Sequence, residues 1–155
     1  MNPVILPPPL GPVTLRWSEK GLTAALFDGP AVEADAPADP HGAAEALLAW
    51  LAGDLTALDR VPVDPPGTPF QRAVWAELRR IPAGTTQSYG ELAVRMGDPA
   101  ATRAVARANA QNPVGIFIPC HRVIGTDGRL TGYAGGLHRK RWLLAHEGAA
   151  GFLVP

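Results

Sequence analysis

Cysteine is almost absent from this sequence: its 155 residues contain one, Cys120. An internal disulfide is therefore excluded, and no cysteine and histidine cluster has the spacing of a structural zinc site. No apolar run approaches the roughly 20 residues that cross a bilayer. No basic N-terminal stretch followed by an apolar run has the form of a secretory signal. We expect a free thiol in a reducing cytoplasm, and neither a metal, a cofactor nor a membrane partner.

Net charge is also absent, yet the charges are unevenly distributed. Residues 1–62 contain three basic and eight acidic residues, whereas residues 63–155 contain eleven basic and six acidic ones. A basic second half attracts phosphate groups while the acidic first half keeps the molecule neutral. The distribution permits a nucleic-acid partner without requiring one, because an asymmetry of this size also arises by chance.

A proline-rich segment, "VPVDPPGTPF" at residues 61–70, has the composition of a linker, and we place a domain boundary between residues 62 and 63. Upstream, "PVTLRWSEKGLTAALF" predicts two strands around a turn at residues 18–21. "GAAEALLAWLAGD" predicts an apolar helix that ends near Gly53. His41 is isolated in an alanine-, proline- and aspartate-rich loop, so we interpret it as a solvated surface residue.

Downstream of the boundary, "TPFQRAVWAELRRIP" has the features of a helix start. Thr68 is in the N-cap position, Pro69 in the first helical position and Gln71 where a capping box places it. Apolar residues at helical spacing predict a core-facing stripe: Phe70, Val74, Trp75, Leu78 and Ile81. Pro82 and Gly84 end the predicted helix.

Two further short helices follow. "SYGELAVRMG" has Ser88 as N-cap and Glu91 in a second capping box, and "DPAATRAVARANA" opens with Asp98 and Pro99. A glycine-containing turn joins them, which makes a helix-turn-helix plausible. The alanine-rich second helix suits either close approach to a partner or burial within its own domain. Arg103 and the next arginine along this helix are one turn apart, and this spacing favours the alternative of approach to a partner.

These patterns predict an α+β fold. A small N-terminal α/β domain, residues 1–62, precedes a mostly helical C-terminal domain, residues 63–155, with a winged-helix-like helix-turn-helix.

The cysteine lies in "NPVGIFIPCHRVIG", residues 112–125. "VGIFI" predicts a buried strand, so Cys120 would follow the end of that strand. In a regular strand Cys120 and His121 would point to opposite faces, and their cooperation requires the irregular backbone that Pro119 makes plausible. A thiol with a pKa of about 8.5 is mostly protonated at neutral pH, and a histidine base oriented by a carboxylate such as Glu147 is one remedy. From spacing alone, a buried and unreactive cysteine is an equal alternative.

"IPCHRVIG", followed by "GYAGG" and "RWLLAHEG" and preceded by "SYGELA", "TRAVARA" and "NP", resembles the motif set of the O6-alkylguanine-DNA alkyltransferases. The resemblance covers about residues 66–148, with the motifs in order and at compatible spacing. It implies a monomeric DNA repair protein that binds double-stranded DNA containing O6-alkylguanine. Such a protein flips the damaged base out of the duplex and transfers the alkyl group irreversibly to its own cysteine, acting once.

The resemblance assigns roles to matching residues. Cys120 is the alkyl acceptor, His121 its base through a bridging water, and Glu147 the group that fixes the imidazole tautomer. Asn112 braces the active-site turn, and Tyr89 donates to guanine N3 as the base leaves.

Base recognition is implied to be largely a main-chain function. The carbonyls of Cys120 and Val123 accept from the guanine amine, the backbone N–H of Ala134 faces O6, and Tyr133 forms a wall of the pocket. The DNA-contacting residues implied or predicted are Ser88, Arg103, Ala104 and Arg107. Arg103 fills the vacated stack, while Arg107 stands where many relatives have a glycine-rich stretch. At the groove wall Arg107 would contact a phosphate, which is the favoured alternative, and at the groove floor it would obstruct docking.

Three other functions are weighed. A non-catalytic binder of alkylated bases, like the alkyltransferase-like proteins, would have replaced Cys120. A cysteine hydrolase built on Cys120, His121 and Glu147 would turn over, whereas an alkyltransferase stops after one event. A sequence-specific regulator is disfavoured because no dimerisation segment is evident. The N-terminal domain also lacks the cysteine and histidine ligands that give some alkyltransferases a structural zinc, which supports the prediction of no metal.

Overall fold

The computed structural model describes residues 3–29, 39–125 and 127–152. The chain forms two compact units, one of Met1–Pro66 with Pro113–Phe117 and one of Gly67–Asn112 with Ile118–Pro155. The predicted boundary between residues 62 and 63 lies within the first unit, and a short segment from the C-terminal half belongs to that unit as well. Small sheets and five helices among the described residues confirm the predicted α+β class.

The first unit contains a three-stranded antiparallel sheet of β1 (Val4–Ile5), β2 (Pro12–Trp17) and β3 (Leu22–Phe27), in that order. The Ser18 amide donates to the Gly21 carbonyl at 2.9 Å, which closes the predicted hairpin turn. A helix, α1 (Ala43–Leu51), and a 3₁₀ turn, Ala57–Arg60, complete the unit. The hairpin and the helix predictions are both confirmed. His41 is only half-exposed, because its Nε2 lies 2.8 Å from the Ser18 carbonyl oxygen.

The predicted strand "VGIFI" is wrong. Only Val114 pairs, in a parallel bridge with Ala25, whose amide donates to Pro113 and whose carbonyl accepts from Gly115. The chain then turns, with Ile116 in the left-handed region at φ 69°. Val114, Ile116, Phe117 and Ile118 are nevertheless buried. The apolar run therefore indicated burial correctly, but burial does not distinguish a strand from a buried turn.

Four helices dominate the second unit: α2 (Pro69–Leu78), α3 (Tyr89–Arg95), α4 (Thr102–Ala110) and α5 (Leu137–His146). Two short parallel strands, β4 (Gln87–Ser88) and β5 (Val123–Ile124), pair Ser88 with Ile124. The 3₁₀ turns are Pro99–Ala101 and Cys120–Arg122. The helices α3 and α4 form the predicted helix-turn-helix.

Both capping boxes are confirmed. The Thr68 hydroxyl accepts from the Gln71 amide at 3.1 Å, and the Ser88 hydroxyl accepts from the Glu91 amide at 3.0 Å, each with the reciprocal bond present. Asp98 instead caps the 3₁₀ turn through the Ala100 amide, because α4 begins only at Thr102.

The predicted apolar stripe of α2 is buried at Val74, Trp75, Leu78 and Ile81, but Phe70 is 42% exposed. Phe70 lies in the first turn of α2, where the apolar spacing is already helical but the side chain is not yet buried in the core. Trp75 donates from its indole to the Ala108 carbonyl at 2.8 Å, which ties α2 to α4. The helix α4 buries Val105, Ala108 and Asn109 while it exposes Arg103, Ala104 and Arg107. The alternative of burial within its own domain is thus confirmed for Ala108, while Ala104 is exposed.

Candidate active site

Cys120 begins a 3₁₀ turn directly after Pro119, so it and His121 are not successive residues of a strand. The Cys120 amide donates to the Ile118 carbonyl at 2.8 Å, and the Asn112 side chain donates to the same carbonyl at 2.8 Å. Asn112 therefore braces the turn. Burial raises the pKa of the Cys120 thiol, although a hydrogen bond from Asn112 and the charge of Lys140 act against this rise. The thiol is accordingly protonated at rest and needs a base to react.

His121 is fully buried, and its Nε2 donates to Oε1 of Glu147 at 2.7 Å. Because an ionised carboxylate only accepts hydrogen bonds, this bond places the imidazole hydrogen on Nε2 and leaves a lone pair on Nδ1. Within the described residues Nδ1 makes no hydrogen bond. Burial lowers the pKa of His121 even though Glu147 favours its charged form. The arrangement provides a neutral imidazole with an available acceptor nitrogen.

Glu147 occupies the C-cap position of α5, where the chain leaves the helix in a Schellman motif. The Gly148 amide donates to Ala145 and the Ala149 amide to Leu144, both at 3.0 Å. Gly148 has φ 77°, a conformation that glycine adopts without steric cost. The local sequence of the helix end therefore fixes the carboxylate beside His121.

Arg122 is a functional residue that the residue-by-residue predictions missed. Its guanidinium makes two bonds to the Glu147 carboxylate, at 3.0 and 2.6 Å, and a third to the Ile81 carbonyl at 2.6 Å. Burial opposes ionisation of Glu147, but His121 and Arg122 outweigh it and hold the pKa of Glu147 well below its usual range. Since His121 is neutral at pH 7, the permanent charge of Arg122 keeps the carboxylate ionised.

Lys140 was also missed. It is fully buried, and its ammonium donates to the carbonyls of Val123 at 2.6 Å and Thr131 at 2.9 Å. Burial lowers the pKa of Lys140 to about 8, while Cys120 favours its charged form. A sequence signal existed, because Lys140 shares a helical stripe with the buried Leu143 and Leu144 and a lysine in an apolar stripe is uncommon.

Two tyrosines belong to the same unit. Tyr89 is the first residue of α3, and its hydroxyl accepts from the Thr131 hydroxyl at 2.9 Å. The Tyr133 hydroxyl is buried, and burial raises its pKa well above the usual value; Cys120, when ionised, and Glu147 act in the same direction. Ala134, next in the chain, is exposed.

The residues predicted to contact DNA differ in accessibility. Arg103, Ala104 and Arg107 are exposed on α4, whereas Ser88 is buried and its oxygen caps α3. On the inner face of α4, Asn109 is buried and its amide donates to the Cys120 carbonyl at 3.5 Å. Asn109 was not predicted, and it links the helix with the exposed arginines to the cysteine turn.

No group of three or more metal-ligating side chains is found in residues 3–29, 39–125 and 127–152. Over the same residues, no helix has the length and apolar character required to span a membrane.

Acid is expected to destabilise the protein. His121 and Glu147 both have folded-state pKa values below their ordinary values of 6.5 and 4.5. Each therefore contributes stability that is complete above the ordinary pKa and is lost as the pH falls toward the folded-state pKa. The free energy of unfolding, measured with urea between about pH 8 and 5, should fall below about pH 6.5 with a slope of up to about 1.4 kcal/mol per pH unit for one proton. A His121→Gln variant should lose the part of the pH dependence that His121 contributes. A wild-type free energy of unfolding that is the same at about pH 8 and pH 5 would contradict the prediction.

The second unit therefore contains a buried thiol, a carboxylate-oriented imidazole next to it in sequence, and a helix-turn-helix with exposed arginines. Residues 69–149 match the family described as "6-O-methylguanine DNA methyltransferase, DNA binding domain", and the chain belongs to this family.

The chain is also similar to individual members of this family. A methylated-DNA–protein-cysteine methyltransferase of Methanosarcina acetivorans is 43% identical over 91% of this chain and 94% of its own length. One of the same name from Shigella flexneri is 53% identical over 71% of this chain, and the match spans 64% of that relative. The crystal structure of Mycobacterium tuberculosis OGT in complex with DNA is 45% identical, with a TM-score of 0.81, over 92% of this chain and 90% of that one.

Proposed function

We propose that this protein repairs O6-alkylguanine in double-stranded DNA by transferring the alkyl group irreversibly to Cys120, so that each molecule acts once. The observation that carries the proposal is the buried His121–Glu147–Arg122 cluster directly after a buried thiol. Relatives named methylated-DNA–protein-cysteine methyltransferases, and a similar solved structure that contains DNA, support it.

The chemistry is one in-line displacement. The Cys120 sulfur forms a bond to the alkyl carbon while the bond from that carbon to O6 breaks, and the electron pair of the broken bond stays on the guanine. Nδ1 of His121 takes up the thiol proton through a water, and solvent returns that proton to the departing guanine. The product is a thioether, which is a poor leaving group. No later step releases the alkyl group, and the protein is consumed.

Recognition of the flipped base uses the groups around the turn. The Tyr89 hydroxyl donates to N3, the Ala134 amide faces O6, Tyr133 forms a wall, and the carbonyls of Cys120 and Val123 accept from the guanine amine. Val123 already accepts from Lys140, but a carbonyl oxygen has two lone pairs, so one remains for the base. In this proposal the Tyr89 and Ala134 donors are preorganised, so that they stabilise the charge that develops on the guanine.

DNA binding is assigned to α4, which enters the minor groove with its exposed face. Arg103 fills the gap left by the flipped base, Ala104 permits close approach, and Arg107 contacts a phosphate at the groove wall. The Ser88 hydroxyl, which accepts from Glu91, keeps its own hydrogen to donate to a phosphate oxygen. Unstacking a base costs a few kcal/mol and less for a poorly paired one, which contributes selectivity for lesions.

The protein is further proposed to act as a monomer in the cytoplasm. The cytoplasm is proposed because a reducing compartment keeps the single cysteine, Cys120, as a free thiol. A monomer is proposed because one active site is enough to repair one damaged base.

The deciding experiment is the intact mass of the protein after incubation with a duplex oligonucleotide that carries one O6-methylguanine. The wild type should gain one methyl group per molecule, located on Cys120, and the Cys120→Ser variant should gain none. Conversion of many O6-methylguanines to guanine per protein molecule would contradict single use and favour a hydrolase. An unchanged mass despite tight binding to the lesion would favour a non-catalytic binder.

A further inference from the structure

We propose that Thr131 is a positioning residue that orients the Tyr89 hydroxyl toward the substrate. The Thr131 hydroxyl donates to the phenol oxygen of Tyr89 at 2.9 Å. A phenol has one hydrogen, so an oxygen that already accepts a bond from Thr131 directs its own hydrogen elsewhere. A donor that also accepts a bond is polarised and becomes a better donor. The inference rests on the proposed function, in which Tyr89 donates to guanine N3.

The position of Thr131 is itself fixed by main-chain contacts. The buried ammonium of Lys140 donates to the Thr131 carbonyl at 2.9 Å and to the Val123 carbonyl at 2.6 Å. It therefore holds the segment after β5 against β5 itself. Because a buried ammonium needs hydrogen-bond acceptors, this attachment is costly to break.

The same strand also fixes Tyr89. In β5, Ile124 pairs with Ser88 of β4, the residue directly before Tyr89. The backbone positions of Tyr89 and Thr131 are thus both fixed relative to β5. Strand pairing fixes Tyr89, and the Lys140 hydrogen bonds fix Thr131. The Thr131–Tyr89 hydrogen bond therefore joins two side chains whose backbones are already held in place. This explains how a loop residue can set the direction of a hydroxyl on a helix.

Thr131 is exposed, so its side chain is not part of the core. Water competes for its bond while the site is empty, and a flipped base that covers the two hydroxyls would exclude that water and strengthen the bond. Replacement of Thr131 should therefore change the reaction and leave the stability of the protein nearly unchanged, which makes the inference testable.

The test measures single-turnover rates of methyl transfer from an O6-methylguanine duplex at saturating protein. Thr131→Val removes the hydroxyl at nearly constant shape and should slow transfer about three- to tenfold, the effect of one hydrogen bond. Thr131→Ser, which keeps the hydroxyl, should react close to the wild-type rate. In a Tyr89→Phe background, Thr131→Val should have no further effect, because the group through which it acts is gone.

Two control measurements distinguish positioning from a structural or binding role. The melting temperature of Thr131→Val should equal that of the wild type, and its affinity for the duplex, measured with Cys120→Ser also present, should be unchanged. A wild-type rate for Thr131→Val, an undiminished effect in the Tyr89→Phe background, or a full rate for Tyr89→Phe would each overturn the inference while the proposed function stands. A wild type that gains no methyl group would overturn both.

Discussion

Replacing Glu147 by glutamine should both destabilise the protein and nearly abolish alkyl transfer. Glutamine has almost the same shape but no charge, so the buried Arg122 guanidinium would lose its counter-ion. Removing one partner of a buried ion pair typically costs about 3–5 kcal/mol. The transfer rate should fall about 100-fold or more, because the amide no longer holds His121 in the tautomer that leaves Nδ1 free to accept a proton.

The matched control is Glu45→Gln, the same substitution at an exposed position of α1. Urea unfolding of the two variants and of the wild type gives the stability difference, and single-turnover methyl transfer gives the rate. Glu45→Gln should change the free energy of unfolding by no more than about 0.5 kcal/mol, as surface substitutions usually do. A Glu147→Gln variant with wild-type stability and rate would show that the buried carboxylate has neither role.

Methylation of Cys120 should lower the melting temperature of the protein. Cys120 is 8% exposed and lies in a turn that hydrogen bonds from Asn112 and from its own amide to the Ile118 carbonyl stabilise. A methyl group added at this buried turn should strain its packing, and such overpacking typically costs about 1–3 kcal/mol. For a chain of this size each kcal/mol corresponds to about 2–4 °C, so the expected decrease is about 2–12 °C.

Bound DNA would obscure this effect, since a ligand that binds the folded state raises its melting temperature. The methylated protein must therefore be separated from the oligonucleotide before thermal unfolding. Cys120→Ser carried through the same incubation and separation is the control, and its melting temperature should not change with exposure to the damaged duplex. A methylated protein as stable as the unmodified one, or more stable, would contradict the prediction.

Local patterns were sufficient for the elements whose ends are set by nearby residues. The capping boxes at Thr68 and Ser88 use bonds between positions three apart, and the β2–β3 hairpin closes through a turn of four residues. Such interactions are encoded within one segment of sequence, so their prediction needs no knowledge of the fold. The cysteine, histidine and glutamate of the site were predicted from the motifs, and the structure places these three in one unit.

Long-range contacts account for what the sequence did not reveal. Arg122 meets Glu147 and Ile81, which are distant in the chain, and Lys140 meets the carbonyls of Val123 and Thr131. A charged side chain in a sequence pattern is expected at the surface, and only the fold brings the partners that permit its burial. Phe70 is the converse case, an apolar position at the right spacing that stays 42% exposed.

The segment Pro113–Phe117 makes the first unit discontinuous in sequence. The chain leaves the second unit after Asn112, pairs Val114 with Ala25, and returns at Ile118, two residues before Cys120. Residues 1–62 therefore form one compact unit together with a segment from the C-terminal half of the sequence. Exchange of the N-terminal half between homologues would also replace Ala25, and the transplanted half would have to supply a strand residue that pairs with Val114 in the same way. Both halves should consequently be exchanged together, because residues 113–117 and their strand partner come from different halves of the sequence.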